Sequence, residues 1–224
     1  MRRSIVPPLI FGIVATAILM SLGFWQLRRL EWKESMLTEI QSGIDAAPVA
    51  LPQQVDSSMK YMPVLIEGRT TGDEILVLSG TKERGGGYNV ISAFETAEGR
   101  RILLDRGFVD QDQRREERPP ADLRVRGNLH WPQEKGSATP EPDLEAGIWF
   151  ARDVPAMAEM LVTEPLLVVA AAAEGETQGV MPIPVSIEGV PNSHLSYAVQ
   201  WFLFAATCAG MTLWLIWRIR RRTY

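Results

Sequence analysis

The chain has 224 residues, 46% of them hydrophobic and 22% charged, with one cysteine, two histidines and a formal net charge of −4. A lone cysteine excludes an intrachain disulfide framework, a CxxC redox pair, CxxCH haem attachment and thiolate-rich zinc or copper sites. Charge is spread unevenly: residues 1–27 and 197–224 hold six arginines and no acids, leaving 17 basic against 27 acidic residues between them, too acidic for a nucleic-acid binder.

The first element is the run Ile5–Leu27, 23 residues without a charge. About 20 helical residues at roughly 1.5 Å each cross a hydrocarbon core, so this run predicts a transmembrane helix. Ala15-Thr16-Ala17 has the pattern of a signal-peptide cleavage site, but the apolar run continues to Phe24, and an uncleaved anchor is expected. Trp25, Trp32 and Lys33, with Arg28 and Arg29, stand where the span leaves the bilayer and read as an aromatic belt with snorkelling bases. Leu27, Leu30, Leu37, Ile40 and Ile44 carry helical spacing on to about residue 43. Pro48, Pro52 and the polar residues 53–58 form a connector.

Seven β-rich runs follow: 64–69, 74–79, 88–94, 101–109, 123–129, 148–152 and 166–170. Thr71-Gly72-Asp73, Gly85-Gly86-Gly87 and Ala97-Glu98-Gly99 separate neighbours at hairpin distances, so antiparallel pairing in a curled or closed sheet is expected. Residues 110–118 read as a solvated loop, and Val154–Leu161 as a short helix with Asp153 as N-cap and Pro155 in its first turn. The triglycine lacks a following GK[ST], and no nucleophile elbow, HExxH helix or kinase motif is present, so a non-enzymatic domain is expected.

A second uncharged run, Leu195–Trp217, predicts a second span. Arg2 and Arg3 before the first span and four arginines after the second place both termini in the cytoplasm. The expected organisation is a tail and first span over 1–27, an outer domain over 28–194, a second span over 195–217 and a basic tail over 218–224. The fold class is membrane α+β, a two-span helical hairpin bracketing an antiparallel sheet or barrel-like periplasmic domain.

At 100° per residue, His194, Ala198, Trp201, Ala205, Cys208 and Thr212 share one face of the second span, while Val199, Leu203, Gly210, Trp214 and Trp217 lie opposite. Ala205, Ala206, Ala209 and Gly210 suit close helix packing. Gln200 needs a polar partner in lipid and is expected to bond to span one. An interfacial imidazole is either a satisfied hydrogen-bonding group or a ligand for a metal or haem, with Ala198 leaving room for a flat guest and Arg28 or Arg29 available to propionates. His130, in Leu129-His130-Trp131-Pro132, is a second candidate ligand or simply a residue closing a strand.

Three segments resemble a known family. Leu22-Gly23-Phe24-Trp25-Gln26-Leu27-Arg28-Arg29-Leu30-Glu31-Trp32-Lys33 is similar to the LGxWQxxRxxWK signature of the Surfeit locus protein 1 family of cytochrome c oxidase assembly factors. Residues 99–109, ending Asp105-Arg106-Gly107-Phe108-Val109, resemble its ILVNRGWV strand, and Asn192-Ser193-His194-Leu195-Ser196-Tyr197 its NxHLxYA element. Asp105 stands where the family usually has Asn, and Asp110 where Pro is common. The resemblance implies a respiratory-chain chaperone of the bacterial inner membrane that assists insertion of haem a into subunit I of an aa3-type oxidase. Cytochrome c oxidase subunit I, haem A synthase and membrane lipid are the partners it implies, and His194 the haem-iron ligand, with Trp201, Ala198 and Tyr197 beside the ring. A haem-free structural chaperone is the alternative, and a periplasmic ligand sensor is disfavoured because the four residues before the first span and the seven after the second are too few for a cytoplasmic output module.

Overall fold

The computed structural model describes residues 5–81, 85–188 and 190–221. In chain order the elements are α1 (Val6–Ile44), β1 (Val49–Ala50), β2 (Pro63–Thr81), β3 (Gly85–Thr96), β4 (Arg101–Asp110), β5 (Asp122–His130), β6 (Ile148–Trp149), α2 (Val154–Leu161), β7 (Leu167–Gly175) and α3 (His194–Arg221). The chain divides into two compact units, Met1–Glu39 with Ile187–Tyr224, and Ile40–Ser186.

In the first unit, α1 and α3 are each long and apolar enough to cross a membrane. Side chains such as Phe11, Ile13, Leu203, Met211 and Leu213 are exposed, so these helices do not hide their apolar surface as core helices of a soluble protein do. The shielded positions of α1 include Gly12, Ala15, Leu19, Leu22, Gln26, Leu30 and Lys33, and those of α3 His194, Ala198, Trp201, Ala205, Cys208 and Thr212. Both series step by three or four residues, the pattern of two helices packed along a common seam. A Cβ on Gly12 would come within 2.2 Å of Thr212 and one on Gly23 within 2.5 Å of the Phe202 ring, so the glycines admit the partner helix. Because 12 faces 212, 23 faces 202 and 26 faces 194, the helices are antiparallel.

The face expected to be inward on α3 is the shielded one, and Val199, Leu203, Gly210, Trp214 and Trp217 are exposed. The closest approaches, however, use the α1 glycines. Of the expected small-residue set on α3, Ala206 and Gly210 face outward and Gln200 is exposed.

The second unit is a closed five-stranded barrel, β2-β3-β4-β7-β5 and back to β2, with β1 and β6 added beside β2. The expectation of purely antiparallel pairing fails at one seam, since β4 and β7 run parallel. A ring with an odd number of strands cannot alternate direction throughout, so closure at five forces one parallel neighbour. The helix-containing connection from β5 delivers β7 into that gap.

Residues 64–69 and 74–79 are not separate strands but the two halves of β2. Thr71-Gly72-Asp73 lies at a bulge in the β2–β3 register between Thr70 and Glu74 rather than in a hairpin turn. Gly85-Gly86-Gly87 is already strand, pairing with residues 79–81, and the connection at 82–84 lies outside the described residues. Ala97-Glu98-Gly99 forms the expected turn, closed by hydrogen bonds from Thr96 to Arg100 and from Gly99 to Thr96. The expected loop at 110–118 contains a 3₁₀ turn, Gln111–Arg115, and Arg118 is buried against Glu74 at 2.8 Å rather than solvated.

The apolar core has two sides. Val64, Ile66, Phe94, Ile102, Leu104, Val125, Leu129 and Val168 form one cluster. On the other strand face, Ile91, Ala93, Leu103 and Val169 pack under Trp149 and the α2 residues Met157, Ala158 and Leu161. This double cover explains why β4 is buried from Ile102 to Val109 without alternation. α2 has the expected limits, with Asp153 accepting from Ala156 N and a proline in the first turn.

Candidate functional site

His194 begins α3, one antiparallel crossing away from Gln26 on α1. The contact that joins them is His194 Nδ1 to Gln26 Oε1 at 2.8 Å. With the carboxamide oxygen as acceptor, the arrangement corresponds to the Nδ1–H tautomer, the one that leaves a lone pair on Nε2. Nε2 has no hydrogen-bond partner among the described residues. An imidazole held through one nitrogen, with the other basic and free, is the donor state that a metal requires. Among the described residues no three of His, Cys, Asp and Glu converge on a metal position, so His194 is a single-imidazole donor.

The neighbouring candidates divide by exposure. Ala198 is 1% exposed and Ala205 2%, which closes the flat slot expected beside them. Trp201 is half-buried and meets Phe204 edge-on at 6.0 Å, whereas Tyr197 is exposed. Arg28 and Arg29 are exposed one turn beyond Gln26, with Arg29 stacked 4.0 Å over the Trp32 ring. Trp25 and Trp32 are half exposed, while Lys33 donates to the Pro191 carbonyl and fastens the segment before α3 to α1. At the far end of α3, Arg218 stacks on Trp214 and Arg221 on Trp217. What these residues bring together is an imidazole donor and, in the adjoining turn of α1, cationic groups; a flat slot between the helices at Ala198 and Ala205 is not part of the arrangement.

Sequence reasoning missed Gln26. The argument that a glutamine in an apolar run needs a polar partner, which points to Gln200, holds equally for Gln26, which lies opposite His194 across the hairpin.

The SURF1 family model matches residues 13–206, which includes most of α1, the whole barrel and the beginning of α3. The chain belongs to the SURF1 family. It is 29% identical to a SURF1-like protein of Drosophila melanogaster, over 95% of this chain and 78% of that one. It is 28% identical to Surfeit locus protein 1 of Homo sapiens over 83% of this chain and 70% of the other, and 27% identical to a SURF1-like protein of Rickettsia felis over 85% and 88%.

The SURF1 motif in β4 has a structural explanation here. Asp105 is 1% exposed and accepts from Gly107 N at 3.1 Å and Asn89 Nδ2 at 3.3 Å, and pairs with Arg152 at 3.0 Å. Burial pushes its carboxyl above the usual range, against the pull of Arg152. Burial alone would raise Glu134 too, but hydrogen bonds from Arg152 outweigh it and hold that carboxyl low. Gly107 has φ of +118° and a Cβ there would lie 1.9 Å from Met181 O, so only glycine fits where the chain crosses at residue 181. His130 closes β5, and burial, then the charges of Arg152 and Lys60, lower its pKa to about 4. In this SURF1 chain His130 belongs to the barrel unit and His194 to the helical one.

Proposed function

We propose that this SURF1-family chain is a non-enzymatic assembly factor for an aa3-type cytochrome c oxidase, holding haem a in transit to subunit I with His194 as iron ligand. Family membership supports the assembly role. The haem role rests on one observation, the imidazole whose Nδ1 is bound to Gln26 while Nε2 is free. Bound haem a supplies the redox macrocycle that the oxidase uses as its prosthetic group. The chain's own part is to present Nε2, to offer Arg28 as a cation for propionates, and to place Trp201 near the ligand. A single imidazole suits a carrier, since a cargo held by one protein bond is released more readily than one held by two.

The charge pattern supports an inner-membrane location with both termini cytoplasmic and the barrel periplasmic. Subunit I, haem A synthase and lipid are the partners of this reading. The test is the Soret spectrum of full-length protein purified in detergent from cells that make haem a. His194→Ala is expected to lose about tenfold or more of the occupancy while eluting as the wild type does. An unchanged Soret band in that variant removes the ligand assignment.

The haem-free chaperone reading is favoured by a different observation, the closed seam at Gly12, Gly23, Ala198 and Ala205, in which the His194 bond serves to fasten two helices. Haem-free protein that binds apo-subunit I and supports full oxidase assembly would select it.

A further inference from the structure

We infer that Gln26 is the positioning residue of His194: it fixes the imidazole as the Nδ1–H tautomer and so leaves Nε2 free to act as a donor. The inference rests on the haem reading for its purpose, but the hydrogen bond stands on geometry alone. His194 Nδ1 lies 2.8 Å from Gln26 Oε1, and both side chains are half-buried among apolar neighbours. A hydrogen bond in such a setting is strong, and leaving either partner unmatched is unfavourable.

Gln26 is itself held in place from both directions along α1. One turn before it, Gly23 lets the Phe202 ring seat against the helix, and Phe24 meets the same ring edge-on at 5.4 Å with an interplanar angle of 74°. Two turns after it, Lys33 reaches the Pro191 carbonyl just ahead of His194. These contacts set the axial register of the two helices, so the carboxamide faces the imidazole without a search. Free imidazole favours the proton on the other nitrogen, which would block a metal at Nε2, and the Gln26 oxygen reverses that preference. An acceptor bonded to the far nitrogen of a ligating imidazole also makes the donor nitrogen more basic.

The chain has only two histidines, which makes the tautomer directly measurable. Full-length protein labelled with ¹⁵N-histidine, haem-free in nanodiscs and carrying His130→Gln to leave one imidazole, is expected to show the Nδ1–H correlation pattern. Gln26→Glu keeps an acceptor and is expected to keep that pattern. Gln26→Leu is expected to shift it to Nε2–H. A wild-type Nε2–H pattern, as the reversed carboxamide would give, overturns the inference, as does a Gln26→Leu pattern identical to wild type.

Titration with hemin then separates positioning from binding. Gln26→Leu is expected to weaken hemin affinity about 10- to 100-fold, with recovery in Gln26→Glu and a more negative midpoint potential there. Full affinity in Gln26→Leu despite the altered tautomer overturns Gln26 as a positioning residue. Full affinity in His194→Ala overturns the haem reading instead, so the two failures are read apart.

Discussion

His130 ends β5 with its Nδ1 buried and without a partner, its ring tilted 34° against that of Tyr61 at 5.7 Å. Its pKa is lowered from 6.5 to about 4, so the folded chain refuses a proton that the unfolded chain accepts. The stability this contributes is complete above about pH 6.5 and is lost as pH falls toward 4. After allowance for residual solvent, the effect is on the order of 1–2 kcal/mol. Asp105 acts in the opposite direction, because its raised carboxyl takes up a proton more readily when folded. The measurable quantity is therefore the difference in unfolding free energy between wild type and His130→Gln, expected to shrink across this window; a pH-independent difference would contradict the assignment. At this scale the sequence was partly legible. The conformational need at Gly107 and the ion pairs of Asp105 and Arg118 depend on chain segments tens of residues away, which periodicity does not register.

Among elements, the helical hairpin shows what patterning reads well and what it leaves out. The angular positions along α3 sort exposed from shielded residues correctly, because 100° per residue is a local property. The partner's contribution was not legible in the same way, since closeness at Gly12 and Gly23 is a property of two helices together. The merging of two expected strands into β2 has a similar cause: a Thr-Gly-Asp triplet suits a bulge as well as a turn, and only pairing with β3 decides. Gly12→Ile places a branched side chain where a Cβ already meets Thr212 at 2.2 Å. Overpacking of this kind is unfavourable by about 1–3 kcal/mol or forces the helices apart. Oxidative cross-linking of Ala15→Cys to Cys208, both shielded positions of the seam, is expected to be several-fold slower when Gly12→Ile is added. Equal rates would mean that the seam is not held at this glycine.

For the molecule as a whole, charge asymmetry gives a prediction that neither unit gives alone. The chain's one cysteine, Cys208, lies within α3, so Cys208→Ser yields a background for single reporters. A cysteine at Glu98, in the turn between β3 and β4, is expected to react with a membrane-impermeant maleimide in intact spheroplasts. Labelling only after the membrane is opened would invert the orientation. The overall plan was the most legible level, since two uncharged runs and seven β-rich runs depend on composition over many residues. Parallel pairing of β4 with β7 was not, because strand number must be known before ring parity can be applied.

That ring has a consequence for how the barrel can be met by other proteins. With β2 hydrogen-bonded to both β3 and β5 the ring closes, but closure is partial along the strands: β5 covers β2 over residues 63–69, β6 adds cover only at Leu76 and Val77, and β4 meets β7 at residues 103–105. A visiting strand finds backbone to zip onto only on the short stretches beyond these pairings, such as Leu78 to Gly80 of β2. Elsewhere recognition is spelled out by side chains and turns, which lets surface substitutions retune partner choice while the scaffold beneath stays as it is.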